Sequence, residues 1–357
     1  MKRILSETFF RKIGLLSVAS ILFLIFVGGL VRITGSGMGC PDWPKCFGYY
    51  IPPSDESELI WKPNHEYKKG QMIIKDEKLW VAQSNFTTSQ SFEPTQWSVY
   101  TKHDYALYNP THTYIEWVNR MVSVFVGIFM VLTLLSSFQY WKTKKSITLL
   151  SIASFLFTLF QAWLGAKVVE SNLKGDTISI HMLASLVTVG LMMAAVFRNH
   201  AAEGLDRIKH LGWLKVLVYG VILLTLVQIY YGTKVREAVD EWMPKAQGSG
   251  HSWTQLVDYV LASHKSLSVF VMAAMMVLYM MVANRLEKSN MLVRALSWGL
   301  GIAALQIVLG TANIFFDLPA VARLLHVTLA GMLIAAQFYV AILVFNYKGS
   351  VIEEKST

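Results

Sequence analysis

Eight stretches of this 357-residue chain are apolar over the roughly 20 residues that a helix needs to cross about 30 Å of hydrocarbon. They run at about 13 to 31, 116 to 141, 146 to 168, 178 to 198, 211 to 232, 264 to 284, 291 to 313 and 322 to 346. Inside a bilayer every backbone N–H and C=O must find its partner within the protein, so segments of this kind fold as helices packed side by side. The composition agrees: 54% of residues are hydrophobic, 15% are charged and the mean hydropathy is +0.43. That is too apolar for a water-soluble chain of this length. An all-α membrane protein with eight transmembrane helices is predicted.

The net charge of +9 does not point to a nucleic-acid partner, because of where the cations lie. Lys2, Arg3, Arg11 and Lys12 precede the first span, and Lys142, Lys144 and Lys145 follow the second. Arg198, Arg207, Lys209 and Lys215 surround the fourth connection, and Arg285, Lys288 and Arg294 fill the sixth. The positive-inside rule makes these segments and both termini cytoplasmic, in a multi-pass protein of the cytoplasmic (inner) membrane. The first apolar core is about 19 residues, longer than the ~7 to 15 of a signal peptide, and Arg32 precedes the small-residue stretch Thr34-Gly-Ser-Gly37. A retained span is expected.

The chain is also a duplication. His181 and His326 lie 145 residues apart, and the same offset relates Asn119 to His264, Gln161 to Gln306 and Gly165 to Gly310. Locally, Asn119-Arg-Met-Val-Ser-Val-Phe125 lies over His264-Lys-Ser-Leu-Ser-Val-Phe270. Self-similarity at a fixed offset sets architecture. Two tandem four-helix bundles are expected, residues 1–200 and 201–357, related as parallel repeats because four spans return the chain to its starting side. An outer insertion at about 40–112 interrupts the first half. Within it, Gln71 to Ala82 reads as two short strands around a Lys-Asp-Glu turn, and Asn85 to Tyr100 supplies another. Asn85-Phe-Thr matches a glycosylation triplet, a weak signal on its own. The segment Thr233 to Ser263 reads as a second outer loop.

The even-numbered spans start on the outer side, and Asn119, His181, His264 and His326 stand near the start of each. Imidazoles at matched depth on alternate helices of a bundle suit a haem iron, with the macrocycle between the helices. His264 and His326 form the stronger pair. Zinc is a poorer fit, with no Cys, Asp or Glu gathered at that depth. The loop histidines His65, His103, His112, His200, His210 and His251 are expected to be solvated, His112 being the nearest to the candidate site. Glu116 is three residues before Asn119 and so shares its face of span two; it reads as an acid/base group beside a cofactor or as an acidic residue favoured by the helix start. Of the outer basic residues Arg32, Arg120, Lys167, Arg236, Lys265 and Arg323, the repeat-equivalent Arg120 and Lys265 are the first choices for pairing with haem propionates. Cys40 and Cys46, the two cysteines of the chain, can close a short disulfide loop in an oxidising compartment; a zinc or redox site is the alternative.

The stretch Gly28-Gly-Leu-Val-Arg-Ile-Thr-Gly-Ser-Gly-Met-Gly-Cys-Pro-Asp-Trp-Pro-Lys-Cys46, followed by Glu116-Trp-Val-Asn-Arg120, His181, His264 and His326, resembles the haem A synthase family across nearly the whole chain. The resemblance implies oxidation of the C8 methyl of haem O to a formyl group by successive hydroxylations, supplying haem A to a terminal oxidase. It implies a haem b held by His264 and His326, substrate haem in the N-terminal half at His181, Asn119 and Arg120, and a catalytic Glu116. It also implies a Cys40–Cys46 disulfide, and as partners haem O synthase, oxidase assembly factors and a quinol electron donor. The family pattern in span two is Glu-x-x-His, whereas this chain has Asn119 at the histidine position. Substrate haem is then expected on His181, with water, the Asn119 oxygen or His112 opposite. A dihaem electron-transfer cytochrome and a haem carrier or transporter are the competing readings.

Overall fold

The computed structural model describes residues 6–101, 108–208, 210–246 and 252–347. Lys2, Arg3, His103, Lys209, Gly248 to Gly250 and His251 lie outside them. Among the described residues eight helices are long and apolar enough to cross a membrane: α1 Glu7–Thr34, α2 Pro110–Ser137, α3 Lys145–Glu170, α4 Gly175–Val196, α5 Leu211–Ala246, α7 Asp258–Ala283, α8 Met291–Phe315 and α9 Ala320–Phe345. A single turn, α6 (Trp253–Leu256), precedes α7. The chain is a multi-pass membrane protein, all-α but for its insertion.

The helices outrun the apolar stretches that announce them, most of all α5, which continues through the expected loop from Thr233 to Ala246. Hydropathy marks where hydrocarbon ends, while a helix continues as long as its side chains support it. Here Lys234 pairs with Glu237 at 2.7 Å and Arg236 with Asp240 at 2.6 Å, one turn apart in each case.

The duplication is visible in backbone conformation. The turn from α3 to α4 places Asn172 and Leu173 in the left-handed region (φ 54° and 58°), and the turn from α8 to α9 does the same with Asp317 and Leu318 (φ 53° and 60°). The Leu173 N–H donates to Val168 O at 3.0 Å, as the Leu318 N–H donates to Asn313 O at 2.9 Å. Both pairs stand 145 residues apart. Two left-handed non-glycine residues in succession are uncommon, so their recurrence at this offset agrees with the repeat in the sequence.

Contacts group the chain into two compact units, Val27–Phe125 with Ala162–Ile178, and Met1–Phe26 with Val126–Gln161 and Ser179–Thr357. In the larger unit α5, α7, α8 and α9 close a four-helix bundle in which each helix packs on two others. Its core carries Val218, Val271, Met275, Leu278, Leu296, Ile334 and Val340. One buried polar side chain crosses it: Gln337 donates to Thr225 Oγ1 at 2.9 Å. A second core joins α1, α2, α4 and α9 through Val18, Met130, Val189, Met192 and Ala335, where the Ser17 and Thr133 hydroxyls meet at 2.9 Å.

The smaller unit contains the insertion. Strands β1 (Glu66–Tyr67) and β4 (Phe86–Thr87) pair with each other, and β2 (Met72–Lys75), β3 (Lys78–Ala82) and β5 (Trp97–Val99) form an antiparallel sheet in the order β2-β3-β5. The β2–β3 hairpin turns at Asp76 and Glu77, both at positive φ (52° and 58°) as a two-residue turn requires. Tyr67, Ile73, Ala82 and Trp97 are buried against Trp61, Trp80, Phe86 and Phe92.

Gly190 on α4 lies where an added Cβ would come within 3.0 Å of the Phe338 ring on α9, whereas Gly220 on α5 faces open space. Gly190→Leu should therefore cost about 1–3 kcal/mol by overpacking and lower the thermal unfolding midpoint in detergent, with Gly220→Ala within about 0.5 kcal/mol of the parent or more stable.

Candidate functional site

His264 and His326 are each the seventh residue of their helix, α7 and α9, so both side chains emerge roughly 9 Å below the helix start. Their ring centroids are 6.3 Å apart with planes at 74°. Two imidazoles that share a metal through bonds of about 2 Å, with roughly 1 Å from each nitrogen to its ring centre, place their centroids about 6 Å apart. His264 Nδ1 lies 3.1 Å from the Gln228 carbonyl. Donation there fixes the tautomer and leaves Nε2 as the nitrogen with the free lone pair, as a metal-ligating histidine requires.

Close backbone approach makes room for both rings. An added Cβ on Gly232 of α5 would stand 3.0 Å from His264 Cε1, and one on Gly310 of α8 would stand 3.4 Å from His326 Cε1. Gln306 donates to the His326 carbonyl at 2.7 Å, which holds α8 and α9 together beside that ring. His326 Nδ1 is buried and meets no hydrogen-bond partner in the protein. Among the described residues no group of three or more His, Cys, Asp or Glu side chains gathers as metal ligands. Two opposed imidazoles without further protein donors fit a metal whose remaining positions are filled by a macrocycle, and the residues present therefore fit a haem.

Arg323 is three residues before His326 and Arg236 four residues beyond Gly232, so each shares its helix face with a group at the histidine pair, about one turn away. Arg236 pairs with Asp240, while Arg323 Nε is buried without a partner. Lys265, the sequence-based choice, is exposed.

In the smaller unit, Glu116 is buried and both carboxylate oxygens are engaged: Oε1 with Arg120 at 2.5 Å and Oε2 with the Cys40 N–H at 2.9 Å. Arg120 reaches further over the loop, donating to the carbonyls of Asp42, of Lys45 at 3.0 Å and of Cys40 at 3.3 Å. Cys40 and Cys46 are disulfide-bonded. The loop they close is thus seated on α2 by one ion pair, helped by Thr113 Oγ1, which donates to Gly39 O at 2.9 Å. Asp42 Oδ2 accepts from the Gly48 N–H at 2.9 Å, and burial raises its pKa above the ordinary carboxylate value. The Tyr100 hydroxyl, donating to Pro41 O, is pushed up to about 12 by burial and by Asp42. Arg120 is therefore turned onto backbone carbonyls, a role that its side-chain type did not disclose.

Asn119 is the tenth residue of α2, its Oδ1 buried and without a partner in the protein. Gly28 of α1 faces it, with an added Cβ 4.0 Å from that oxygen. His181 belongs to the other unit, as the seventh residue of α4, and its Nδ1 is likewise buried and unpartnered. Gln161, the repeat counterpart of Gln306, has neither amide atom paired.

A signal in the sequence points to the glycines. Gly28 and Gly232 are 204 residues apart, as are Val31 and Val235 and Arg32 and Arg236. Helix α1 thus repeats as α5 at a larger offset, because the insertion separates α1 from the rest of its half.

The family model described as COX15-CtaA, cytochrome oxidase assembly protein, matches residues 11–83 and 82–338. Among curated relatives, "Heme A synthase" of Bacillus mycoides is 24% identical over 94% of both chains. "Heme A synthase" of Bacillus cereus is 24% identical over 98% of both, and that of Listeria monocytogenes is 22% identical over 96% of this chain and 98% of its own.

Arg120→Ala should raise amide exchange across Cys40 to Gly48 and lower stability by about 3–5 kcal/mol, because it leaves Glu116 buried and unpaired. The double variant Arg120→Ala/Glu116→Gln should recover part of that loss. Hydrogen-exchange mass spectrometry and thermal unfolding check both; equal losses in the single and double variants would assign the damage to packing alone.

Proposed function

The chain belongs to the COX15-CtaA family of cytochrome oxidase assembly proteins, and on that premise we propose that it is a haem A synthase. It is an oxidoreductase that converts the C8 methyl of haem O to a formyl group. The observation that carries the cofactor part of this reading is the His264–His326 pair, with centroids 6.3 Å apart. When bound there as haem b, the group supplies redox-active iron for passing electrons toward the substrate. His264 is oriented by the Gln228 carbonyl and His326 by the hold of Gln306 on its backbone. Arg323 is a better candidate than Lys265 for neutralising a propionate, since a buried guanidinium nitrogen without a partner is a poor final state unless an anion meets it; Arg236, already paired with Asp240, is the second choice.

Substrate haem O is assigned to the N-terminal half, with His181 as its protein ligand. Glu116 is the acid/base candidate, and its engagement with Arg120 and Cys40 supports a carboxylate held at one address. Asn119 replaces the histidine of the family pattern. An amide oxygen is a weak ligand for haem iron, so the side of the substrate facing Asn119 is left open to a small molecule. The distribution of Lys and Arg along the sequence supports both termini on the cytoplasmic face of the inner membrane, and we take a quinol as electron donor and haem O synthase and oxidase assembly factors as partners. A dihaem electron-transfer cytochrome is the second reading, and the same ligand pair would serve it.

Coexpression with a haem O source in cells lacking their own haem A synthase separates the two. Extracted haem A or its hydroxymethyl intermediate is the expected result; bound haem b with unmodified haem O would leave electron transfer or haem carriage. His264→Ala and His326→Ala should remove the haem b absorbance while haem O still binds, and His181→Ala the reverse. Asn119→His should convert the substrate site to a six-coordinate low-spin spectrum, and an unchanged spectrum would move Asn119 away from the iron. His112→Ala should leave haem O binding intact, which eliminates His112 as the second ligand.

A further inference from the structure

At the opposite end of the spans from the ligand pair, α3, α4 and α9 leave a crevice of about 460 Å³ between them, within the ~300 to 1,000 Å³ typical of ligand sites. Its lining sorts by depth. Ser146, Arg198 and Asn346 stand at the helix ends, while Leu149, Leu150, Ala153, Ala194 and Ile342 lie one to two turns deeper. The polar mouth is organised: Arg198 donates to Asn346 Oδ1 and, through Nε, to Ser146 Oγ at 3.3 Å. Lys144 Nζ donates to Asn199 Oδ1 at 2.8 Å. Arg198, Lys142, Lys144 and Lys145 are all exposed. Segments 141–153, 190–200 and 340–347, which form the mouth and walls, carry those cations and no Asp or Glu.

We propose that this crevice is a binding site for an anionic phospholipid, with one acyl chain between α3, α4 and α9 and the phosphate at Arg198 and Lys144. A greasy slot that opens to hydrocarbon and is rimmed by cations at headgroup depth matches an amphiphile with a negative head. The cations of this end place it in the cytoplasmic leaflet, which is the anionic one. A quinol is the other amphiphile of the bilayer, but it carries no charge for Arg198 and Lys144 to meet. The crevice also lies some 20 residues of helix from His326, roughly 30 Å from the ligand pair, which is a poor position for an electron donor. The site stands independently of the haem chemistry.

The test uses the full-length holoprotein in detergent, offered phosphatidylglycerol and phosphatidylcholine of the same acyl composition in competition, with bound lipid read by native mass spectrometry. The wild type should retain one phosphatidylglycerol with about tenfold preference. Arg198→Gln/Lys144→Gln should reduce that preference to about twofold or less, and Ser146→Glu, which puts a carboxylate at the mouth without touching the core, should do the same. Ala194→Phe should fill the slot and release lipid of either head group. The charge-matched control Lys68→Gln/Lys69→Gln, on the insertion, should keep the full preference. Equal retention of both lipids by the wild type would overturn the proposal. So would an unchanged preference in Arg198→Gln/Lys144→Gln and Ser146→Glu alike, or recovery of a quinone as the retained amphiphile.

Discussion

The ion pair between Glu116 and Arg120 is the interaction on which the smaller unit is built. Removing a carboxylate and a guanidinium from water costs several kcal/mol per ion, and their mutual attraction offsets this only when the remaining donors and acceptors are also satisfied. Here the Cys40 N–H completes the carboxylate and the carbonyls of Cys40, Asp42 and Lys45 take the fork of the guanidinium. Three carbonyls spread over six residues can converge on one side chain only if the chain doubles back. The disulfide, which brings the Cα atoms of Cys40 and Cys46 to 4.9 Å, keeps it doubled. The same loop reaches the sheet, since Met72 N donates to Phe47 O at 3.1 Å. The conspicuous residues of this loop are thus explained by where they send their backbone oxygens.

In the C-terminal bundle the equivalent problem is solved with backbone and glycine. Imidazole is wide, and helices in hydrocarbon have no hydrophobic drive to hold them apart or together, so packing decides where a ring fits. Gly232 and Gly310 let α5 and α8 come within van der Waals contact of His264 and His326. The Gln228 carbonyl then accepts a hydrogen bond from His264 Nδ1. A side chain at Gly232 would press on the His264 ring, whereas a Cβ at Gly310 would just reach ordinary contact with His326.

Much of this was legible in the sequence. Eight spans and the hairpin turning at Asp76 and Glu77 follow from residue type and spacing, because each rests on a local rule about hydrocarbon or positive φ; Cys40 and Cys46 left a disulfide and a metal or redox site open, and the structure has the disulfide. The extent of α5 did not, since its last turns are held by Lys234–Glu237 and Arg236–Asp240 in a polar segment that hydropathy reads as loop. The placement of Arg120 was illegible for a different reason: its partners are main-chain carbonyls, which leave no mark on the sequence. Likewise, ranking Lys265 above Arg323 followed from the repeat offset, whereas the burial of Arg323 Nε depends on what packs around α9.

The duplication preserved positions more faithfully than roles. Arg120 and Lys265 are equivalent by offset, yet one is folded into a loop of the insertion and the other is exposed, because the C-terminal half has no such loop to hold. Asn119 and His264 are equivalent as well, and each has a glycine of the preceding repeat helix against it, Gly28 and Gly232. The space that accommodates an imidazole in one half is therefore retained around a smaller amide in the other. A buried amide oxygen without a partner costs about 1–3 kcal/mol, so packing alone would favour Leu or Met at residue 119. A polar side chain there instead fits the proposed function, in which residue 119 would present an acceptor to the substrate haem without binding its iron strongly. On the same proposal His264 and His326 would be two strong ligands of a cofactor that stays in place, so this one pair of equivalent positions would separate a substrate that must react and leave from a cofactor that must not.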